Sequence, residues 1–341
     1  MDSAISVNHL TKSFVVPIRE GGVFAAMRSL VARQERTITA VDGISFQVGA
    51  GEVVGFLGPN GAGKTTTLKM LSGLLHPTAG DVRVLDAVPW QRRREFLRQI
   101  TLVMGNRNQL QWDIPAIDSY ELNRAVYRIP RPVYQRTLDE LVDLLDLADL
   151  LKKPVRNLSL GERMKCEIAG ALLHQPRVLF LDEPTLGLDV TMQRRIRSFI
   201  REYNKRHDST VLLTSHYMAD VEALCKRVIV IHHGKILFDG DLADLVTRFS
   251  PYKTISVQLD AGSHDLSAYG DVVEQNGAGI KLRVPKVETA AVTGRLLADL
   301  PIADLTVEDP PIEEVIEQVF ALPDDPAHIP AQETASMKAR G

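Results

Sequence analysis

Four clusters of residues have types and spacings that could do chemistry. Gly58-Pro59-Asn60-Gly61-Ala62-Gly63-Lys64-Thr65 matches G-x4-G-K-S/T. Glycines let a backbone curl until consecutive N–H groups point inward at phosphate oxygens, and a helix starting near Lys64 adds the positive end of its dipole. Lys64 would neutralise β- and γ-phosphates and the Thr65 hydroxyl would ligate Mg²⁺; the plainer alternative is an ordinary glycine turn. Val178-Leu179-Phe180-Leu181-Asp182-Glu183 is an apolar run ending in two carboxylates. Such a pair is otherwise rare after a buried strand, because burying charge without a partner is costly. Asp182 can hold Mg²⁺ through water, and Glu183 can polarise an attacking water. Leu158-Ser159-Leu160-Gly161-Glu162-Arg163 begins a helix. Ser159 and Glu162 have the spacing of a capping box, while the same N–H groups and the Ser159 hydroxyl could form a second anion cradle. Thr214-Ser215-His216 ends another apolar run, where an imidazole could hold a γ-phosphate and its attacking water. A lone histidine is more often structural.

These residues need a frame that brings them to one edge. Ser3–Leu10, Ile44–Val48, Glu52–Leu57, Ile100–Val103, Val178–Leu181, Thr210–Thr214 and Val228–Ile231 read as strands. The shortest apolar runs suit strands buried on both faces of a parallel sheet. Thr65–Leu75 follows the glycine loop with helical spacing. Strand signals vanish between 110 and 175, where Ser119–Tyr127, Val133–Leu147 and Gly161–His174 are helical in period. This predicts a helical subdomain at about 107–170, inserted into an α/β domain of residues 1–249. Ile255, Val257 and Leu259 alternate, as do Ile280, Leu282 and Val284. With helical Val287–Leu300 and Ile312–Phe320 around extended Ile302–Val307, residues 250–322 read as a small α+β domain. Residues 323–341 have the composition of a disordered tail. In Pro17–Arg36, residues Val23, Phe24, Met27, Leu30 and Val31 share one helical face. That face could touch a membrane or simply pack on its own domain.

Composition removes several classes. In 341 residues, 40 Lys+Arg against 43 Asp+Glu leave a net charge of −3, so no global basic field draws nucleic acid. Arg92-Arg93-Arg94 reads as a solvated helix face. Cys166 and Cys225, with no CxxC, exclude a disulfide framework, a zinc finger and thioredoxin-like chemistry, and read as small buried hydrophobes. His232-His233 precede Gly234 at an expected hairpin turn. Met1–Leu10 lacks the apolar core of a signal peptide, and no apolar run approaches the roughly 18 residues that span a bilayer. The chain is not expected to cross a membrane by itself.

In this order, the motifs resemble those of the nucleotide-binding subunit of ABC transporters, over residues 3–245. Gly58–Thr65 is similar to Walker A, Leu158–Arg163 to the signature, and Val178–Glu183 to Walker B with its catalytic glutamate. Pro184–Asp189 resembles the D-loop and His216 the switch histidine. The resemblance implies an α/β P-loop NTPase, with a RecA-like parallel sheet core and an inserted helical subdomain, plus a small C-terminal α+β domain. It implies ATP hydrolysis with ATP and Mg²⁺ as cofactors. Catalysis would fall to Glu183, His216 and Lys64. Nucleotide would be held by Phe14 stacking on adenine, by Gly58–Thr65 and Thr66, and by Ser159, Gly161 and Asp189. The Q-loop residue would be Asn106 or Gln109. Mg²⁺ would be held by Thr65, Asp182 and Gln109. Two departures stand out: Leu160 replaces the usual glycine and Glu162 the usual glutamine, and Glu162 should repel a triphosphate unless Arg163 or Arg156 compensates. The Pro17–Arg36 insertion, the Gln111-Trp112-Asp113-Ile114-Pro115 region and the C-terminal domain resemble ABC-2-type exporter subunits. The exporter resemblance implies export of a drug-like, lipid-like or polysaccharide substrate, and the family resemblance implies a homodimer or a pair with a second nucleotide-binding subunit, separate transmembrane permease subunits, no nucleic acid, and a place on the cytoplasmic face of the cell membrane. Three alternatives stay open. One is a soluble ABC-family ATPase not coupled to transport. Another is a GTPase switch, since Asn204-Lys205-Arg206-His207 begins like NKxD with His207 at the acid position. The third is a non-catalytic regulator with a site degraded at Leu160 and Glu162.

Overall fold

The computed structural model describes residues 3–17, 35–105, 109–260 and 265–321. The expected amphipathic helix around Val23–Val31, Asn106 and the 323–341 tail lie outside them. The chain divides into two units between Leu242 and Ala243. The first runs β1 (Ser3–Pro17), β2 (Glu35–Gly49), β3 (Val53–Leu57), α1 (Lys64–Leu71), β4 (Ala79–Val84), α2 (Arg94–Leu97) and β5 (Ile100–Met104). It continues with α3 (Ala116–Tyr127), α4 (Arg131–Leu145), α5 (Leu160–Leu172), β6 (Val178–Asp182), α6 (Val190–His207), β7 (Thr210–Thr214), α7 (Met218–Leu224), β8 (Arg227–His232) and β9 (Lys235–Asp241).

A six-stranded sheet in the order β5-β6-β7-β3-β8-β9 carries the site, parallel except for β9. Every residue of β6 and β7 is buried, which explains why these strands read as unbroken apolar runs rather than alternating ones. β7 lies between β3, which feeds the glycine loop, and β6, which carries the acids. The tip of β7 therefore stands between loop and carboxylates. A second, antiparallel sheet β2-β1-β4 is joined to the first by one apolar cluster. Leu68 and Leu71 of α1 share that cluster with Ile5 and Leu10 of β1 and Phe56 of β3, so α1 is clamped between the sheets. Between β5 and β6 the chain is helical, as expected: the Tyr120 hydroxyl of α3 donates to the Cys166 carbonyl of α5 at 2.8 Å.

Several local expectations need correction. β1 continues to Pro17 and β2 begins at Glu35, so both flanks of the Pro17–Arg36 stretch are strand. Only Ile5–Thr11 of β1 also pairs with β4; the outer half is a two-stranded arm with Phe14, Val15, Val16 and Ile38 exposed. Without a buried face, that half lacks the alternation that marks a strand. The α1 helix stops at Leu71, because Gly73 takes φ +74° just beyond it. Arg92-Arg93-Arg94 is not one helix face: Arg92 is left-handed at φ 48° and donates to the Gly73 carbonyl, and α2 starts only at Arg94. Helix α6 and strand β9 went unread in the sequence. The hairpin turn at His232–Gly234 is present, with His233 and Gly234 both at positive φ between β8 and β9.

The second unit holds all but the first residue of α8 (Leu242–Phe249), then β10 (Tyr252–Leu259), β11 (Asp271–Asn276), β12 (Gly279–Pro285), α9 (Thr289–Asp299), β13 (Ile302–Glu308) and α10 (Ile312–Ala321). Its antiparallel sheet is ordered β11-β12-β10-β13. The alternating Ile255, Val257, Leu259, Ile280, Leu282 and Val284 form its core with Val292 and Leu296 of α9. β11 had no sequence signal, being exposed at every position. Among the described residues, no helix is long and apolar enough to cross a membrane.

Candidate functional site

The glycine loop leaves the C-terminal end of β3 and is wedged between backbones. A Cβ on Gly58 would collide with the Ile231 carbonyl of β8, and one on Gly63, at φ +108°, with the Ala40 carbonyl of β2. Any side chain at either position would push the loop away from its ligand face. Gly234 of the β8–β9 turn donates to the Ala62 carbonyl at 3.1 Å and fixes the loop from the far side. The Ala62 N–H closes a turn on the Pro59 carbonyl at 3.2 Å, leaving Asn60 and Gly61 exposed at the crest. Helix α1 begins at Lys64 with no side-chain cap and no acid in its first turn, so its dipole and free N–H groups face an anion unopposed. Lys64 Nζ curls back to donate to the carbonyls of Gly58 (2.6 Å) and Pro59 (3.1 Å). Burial pushes its pKa down, while the Glu183 and Asp182 charges pull it up. Thr65 and Thr66 are half-buried in the same first turn.

At the tip of β6, one carboxylate ties three elements together. Asp182 accepts from Thr65 Oγ1 at 2.8 Å and from Thr214 Oγ1 at 2.7 Å. A hydroxyl and a carboxylate converging as hard oxygen donors fit Mg²⁺. The next residue, Glu183, is left-handed at φ 54°, a conformation that costs a side-chain-bearing residue about 1–2 kcal/mol. Its N–H donates to the Thr214 carbonyl and lies 3.1 Å from the Thr214 hydroxyl. Its carbonyl lies so close to Gly105 that a Cβ there would collide with it. This backbone swings the Glu183 carboxylate out of the sheet to His216, with Oε1 to Nε2 at 2.8 Å. The structure therefore brings Lys64, Thr65, Asp182, Glu183 and His216 to one edge, where ligands of open parallel sheets bind.

The second cradle also forms, and it is already capped. Ser159 Oγ accepts from the Glu162 N–H at 3.3 Å while Glu162 Oε2 accepts from the Ser159 N–H at 2.9 Å, a complete capping box. Neither arginine compensates Glu162 as expected: Arg163 lies over the Trp112 ring at 5.4 Å and Arg156 donates to Asp113 at 2.8 Å. The start of α5 sits on the D-loop of the same chain: Gly161 faces Met192 and Leu160 faces Gly187. Asp189 serves as the N-cap of α6, accepting from Met192 N–H at 2.9 Å.

Other assigned residues are more scattered. Phe14 is 37% exposed on the arm, with Ile38 as its cross-strand partner and Lys12 Nζ 5.1 Å from its ring, so it is not core packing. Gln109 donates through its amide to the Leu102 carbonyl at 2.7 Å and through its backbone to Glu167, rather than meeting the Thr65–Asp182 pair. Asn204 spends its amide on the carbonyls of Gly51 and Ser209, just before β3 and β7. That is the N-terminal edge of the sheet, opposite the glycine loop, so the NKxD-like run does not read a base. A buried group was missed altogether. Asp220 of α7 accepts from Thr185, from Ser215 at 2.7 Å and from Arg197 at 2.7 Å, locking the D-loop entry, the residue before His216 and α6 together. A carboxylate four positions after His216, in a short helix lacking a basic neighbour, is a faint signal for such a partner.

Fold and site together define a P-loop nucleoside triphosphatase with the extra strand β7 between its phosphate loop and its acids. Residues 41–186 match the family described as ABC transporter, and residues 251–308 match the EvrA-like ABC transporter C-terminal domain. The chain is 32% identical over 260 residues to the ABC transporter ATP-binding protein YhcH of Bacillus subtilis, covering 75% of this chain and 83% of that one. It is 34% identical over 215 residues to the Nod factor export ATP-binding protein I of Ralstonia nicotianae, covering 62% and 65%. Among solved structures, the dimeric ADP- and phosphate-bound post-hydrolysis form of the ATP-binding cassette MJ0796 shares the fold, with a TM-score of 0.58 at 21% identity, over 70% of this chain and 98% of that one. The chain belongs to the ABC transporter ATP-binding proteins, and its reaction is ATP hydrolysis coupled to transport.

Proposed function

We propose that this subunit powers an exporter, and that two copies, or this chain and a second nucleotide-binding subunit, sandwich ATP between Gly58–Thr65 of one and Ser159 and Gly161 of the other. The observation that carries the catalytic part is the 2.8 Å pairing of Glu183 with His216 beside the Thr65–Asp182 pair. Lys64 leaves its two loop carbonyls to neutralise the β- and γ-phosphates. Glu183 takes the proton of the attacking water, and His216 holds Glu183 in line. Thr65 and Asp182 would hold Mg²⁺, which would supply charge neutralisation on the triphosphate; Gln109 would join them only by giving up the Leu102 carbonyl. Phe14 stacks on the adenine, and Asp189 acts across the dimer from its place as the α6 cap.

Export is supported by the resemblance to ABC-2-type subunits and by the relative that serves Nod factor export. Dimerisation is supported by the dimeric form of MJ0796. A separate permease supplies the membrane-crossing segments and holds this chain at the cytoplasmic face. The helical subdomain passes motion to it, and a groove of about 860 Å³ lined by Arg92, Arg94, Leu74, Val126 and Tyr127 is a surface suited to that contact. The decisive test is Glu183→Gln. ATP binding should persist and phosphate release should fall to background; near-normal turnover removes Glu183 from its role.

A further inference from the structure

The departures at Leu160 and Glu162 acquire a physical meaning once the start of α5 is considered as a place for phosphate. The Ser159 N–H already has an anionic partner, the Glu162 carboxylate at 2.9 Å, and the Ser159 hydroxyl already accepts from the Glu162 N–H at 3.3 Å. Hydrogen bonding from Ser159 holds the Glu162 carboxyl below the ordinary carboxylate range, so it is charged at neutral pH. Two nearby arginines are engaged elsewhere, while the charges of Lys153 and Lys165 still favour the ionised carboxylate. Arg163 is on Trp112, Arg156 on Asp113, and Lys165 Nζ donates to the Asp146 carbonyl at 2.9 Å. Leu160 packs over Gly187, and Gly161 lies against Met192. The helix start therefore packs on Gly187 of its own D-loop and on Met192 in the first turn of α6.

We propose that Glu162 is an intramolecular stand-in for the γ-phosphate at the start of α5, so that this one side chain sets the ATP concentration at which two subunits close. The inference rests on the sandwich reading above. ATP arriving on the opposite subunit meets an N–H already held by a negative charge, beside a hydroxyl whose oxygen accepts from the Glu162 N–H. Closure requires the carboxylate to rotate off Ser159, and repulsion between the two anions opposes it until it does. A glutamine at this position keeps an oxygen that can accept from the Ser159 N–H and carries no charge. It would cap the helix equally without opposing the phosphate. Each dimer holds two such seams, so the effect counts twice.

The test uses the full chain in a Glu183→Gln background, where ATP is bound and not consumed. Mg-ATP is titrated while dimer is read by light scattering or sedimentation, with and without Glu162→Gln, at about 0.05 and about 0.5 M KCl. The expected result is a half-maximal ATP concentration about tenfold lower with Glu162→Gln at low salt, the gap narrowing at high salt as charge is screened. An equal or higher midpoint with Glu162→Gln overturns the proposal. So does a gap that salt does not change, since that would mark a difference in helix capping instead of charge. If neither protein forms a dimer while a fluorescent ATP analogue still binds both, the reading in which two copies of this chain form the sandwich falls, and this inference with it.

Discussion

In the proposed mechanism Glu183 works through its backbone as much as its carboxylate. Its left-handed φ of 54° aims the side chain at His216 instead of along β6, and Gly105 supplies the room. Glu183→Gln is expected to lower phosphate release at least ~100-fold, the scale of a lost general base, while a fluorescent nucleotide still binds. Gly105→Ala should lower turnover as well, by displacing the Glu183 carbonyl it would strike. Phe14 offers a separable contribution. Because it is 37% exposed, Phe14→Ala should leave the melting temperature within the usual narrow range for surface substitutions. It should weaken ATP binding by the ~1–3 kcal/mol of a base–aromatic stack, measured by titration.

Two largely buried side chains join distant elements of the fold. Asp220 is 1% exposed and joins α7 to Thr185, Ser215 and Arg197. Asp220→Ala leaves the Arg197 charge without its partner, a loss on the scale of about 3–5 kcal/mol readable by urea unfolding. Turnover should fall further than with an exposed substitution, because Ser215 precedes His216. His174 joins β5 to α3: Nε2 meets the Ile100 carbonyl at 3.0 Å and the ring stacks on Tyr127 at 4.0 Å. Burial pushes its pKa down to about 4 from the ordinary 6.5. A depressed folded value means the unfolded chain takes the proton first as pH falls. The stability is present above 6.5 and is lost progressively as pH drops toward about 4. Between pH ~7.5 and ~5.5 the protein should lose about 1 kcal/mol that a His174→Phe variant does not lose, measured as the shift in urea midpoint at each pH.

At the scale of the molecule, the proposed sandwich has the glycine loop and the α5 cradle serve two chains. Lys64→Ala and Ser159→Arg should each abolish ATP hydrolysis alone. Mixed together, they should regain it, because a heterodimer holds one seam with an intact Lys64 from one chain and an intact Ser159 from the other. Absence of recovery would argue against a seam shared between two copies of this chain.

Much of this was legible in the residues. Gly58–Thr65, Val178–Glu183 and Thr214–His216 stood out because tight turns, fully buried strands and exposed strand tips demand restricted residue types, and those demands are local. Ser159 and Glu162 likewise announced a capping box by spacing alone. The exposed arm of β1 and β2, the uniformly exposed β11 and the role of Asp220 were not legible, since none leaves a periodic mark. Nor could the sequence say that Arg163 would turn to Trp112, or that Asn204 would face the wrong edge of the sheet. Sequence by itself determined which groups could bind phosphate, because backbone geometry and charge belong to neighbouring residues. Which of those groups share an edge, and which are already occupied, depended on strand order and helix packing, since contacts between distant segments are chosen only when the whole chain is buried together.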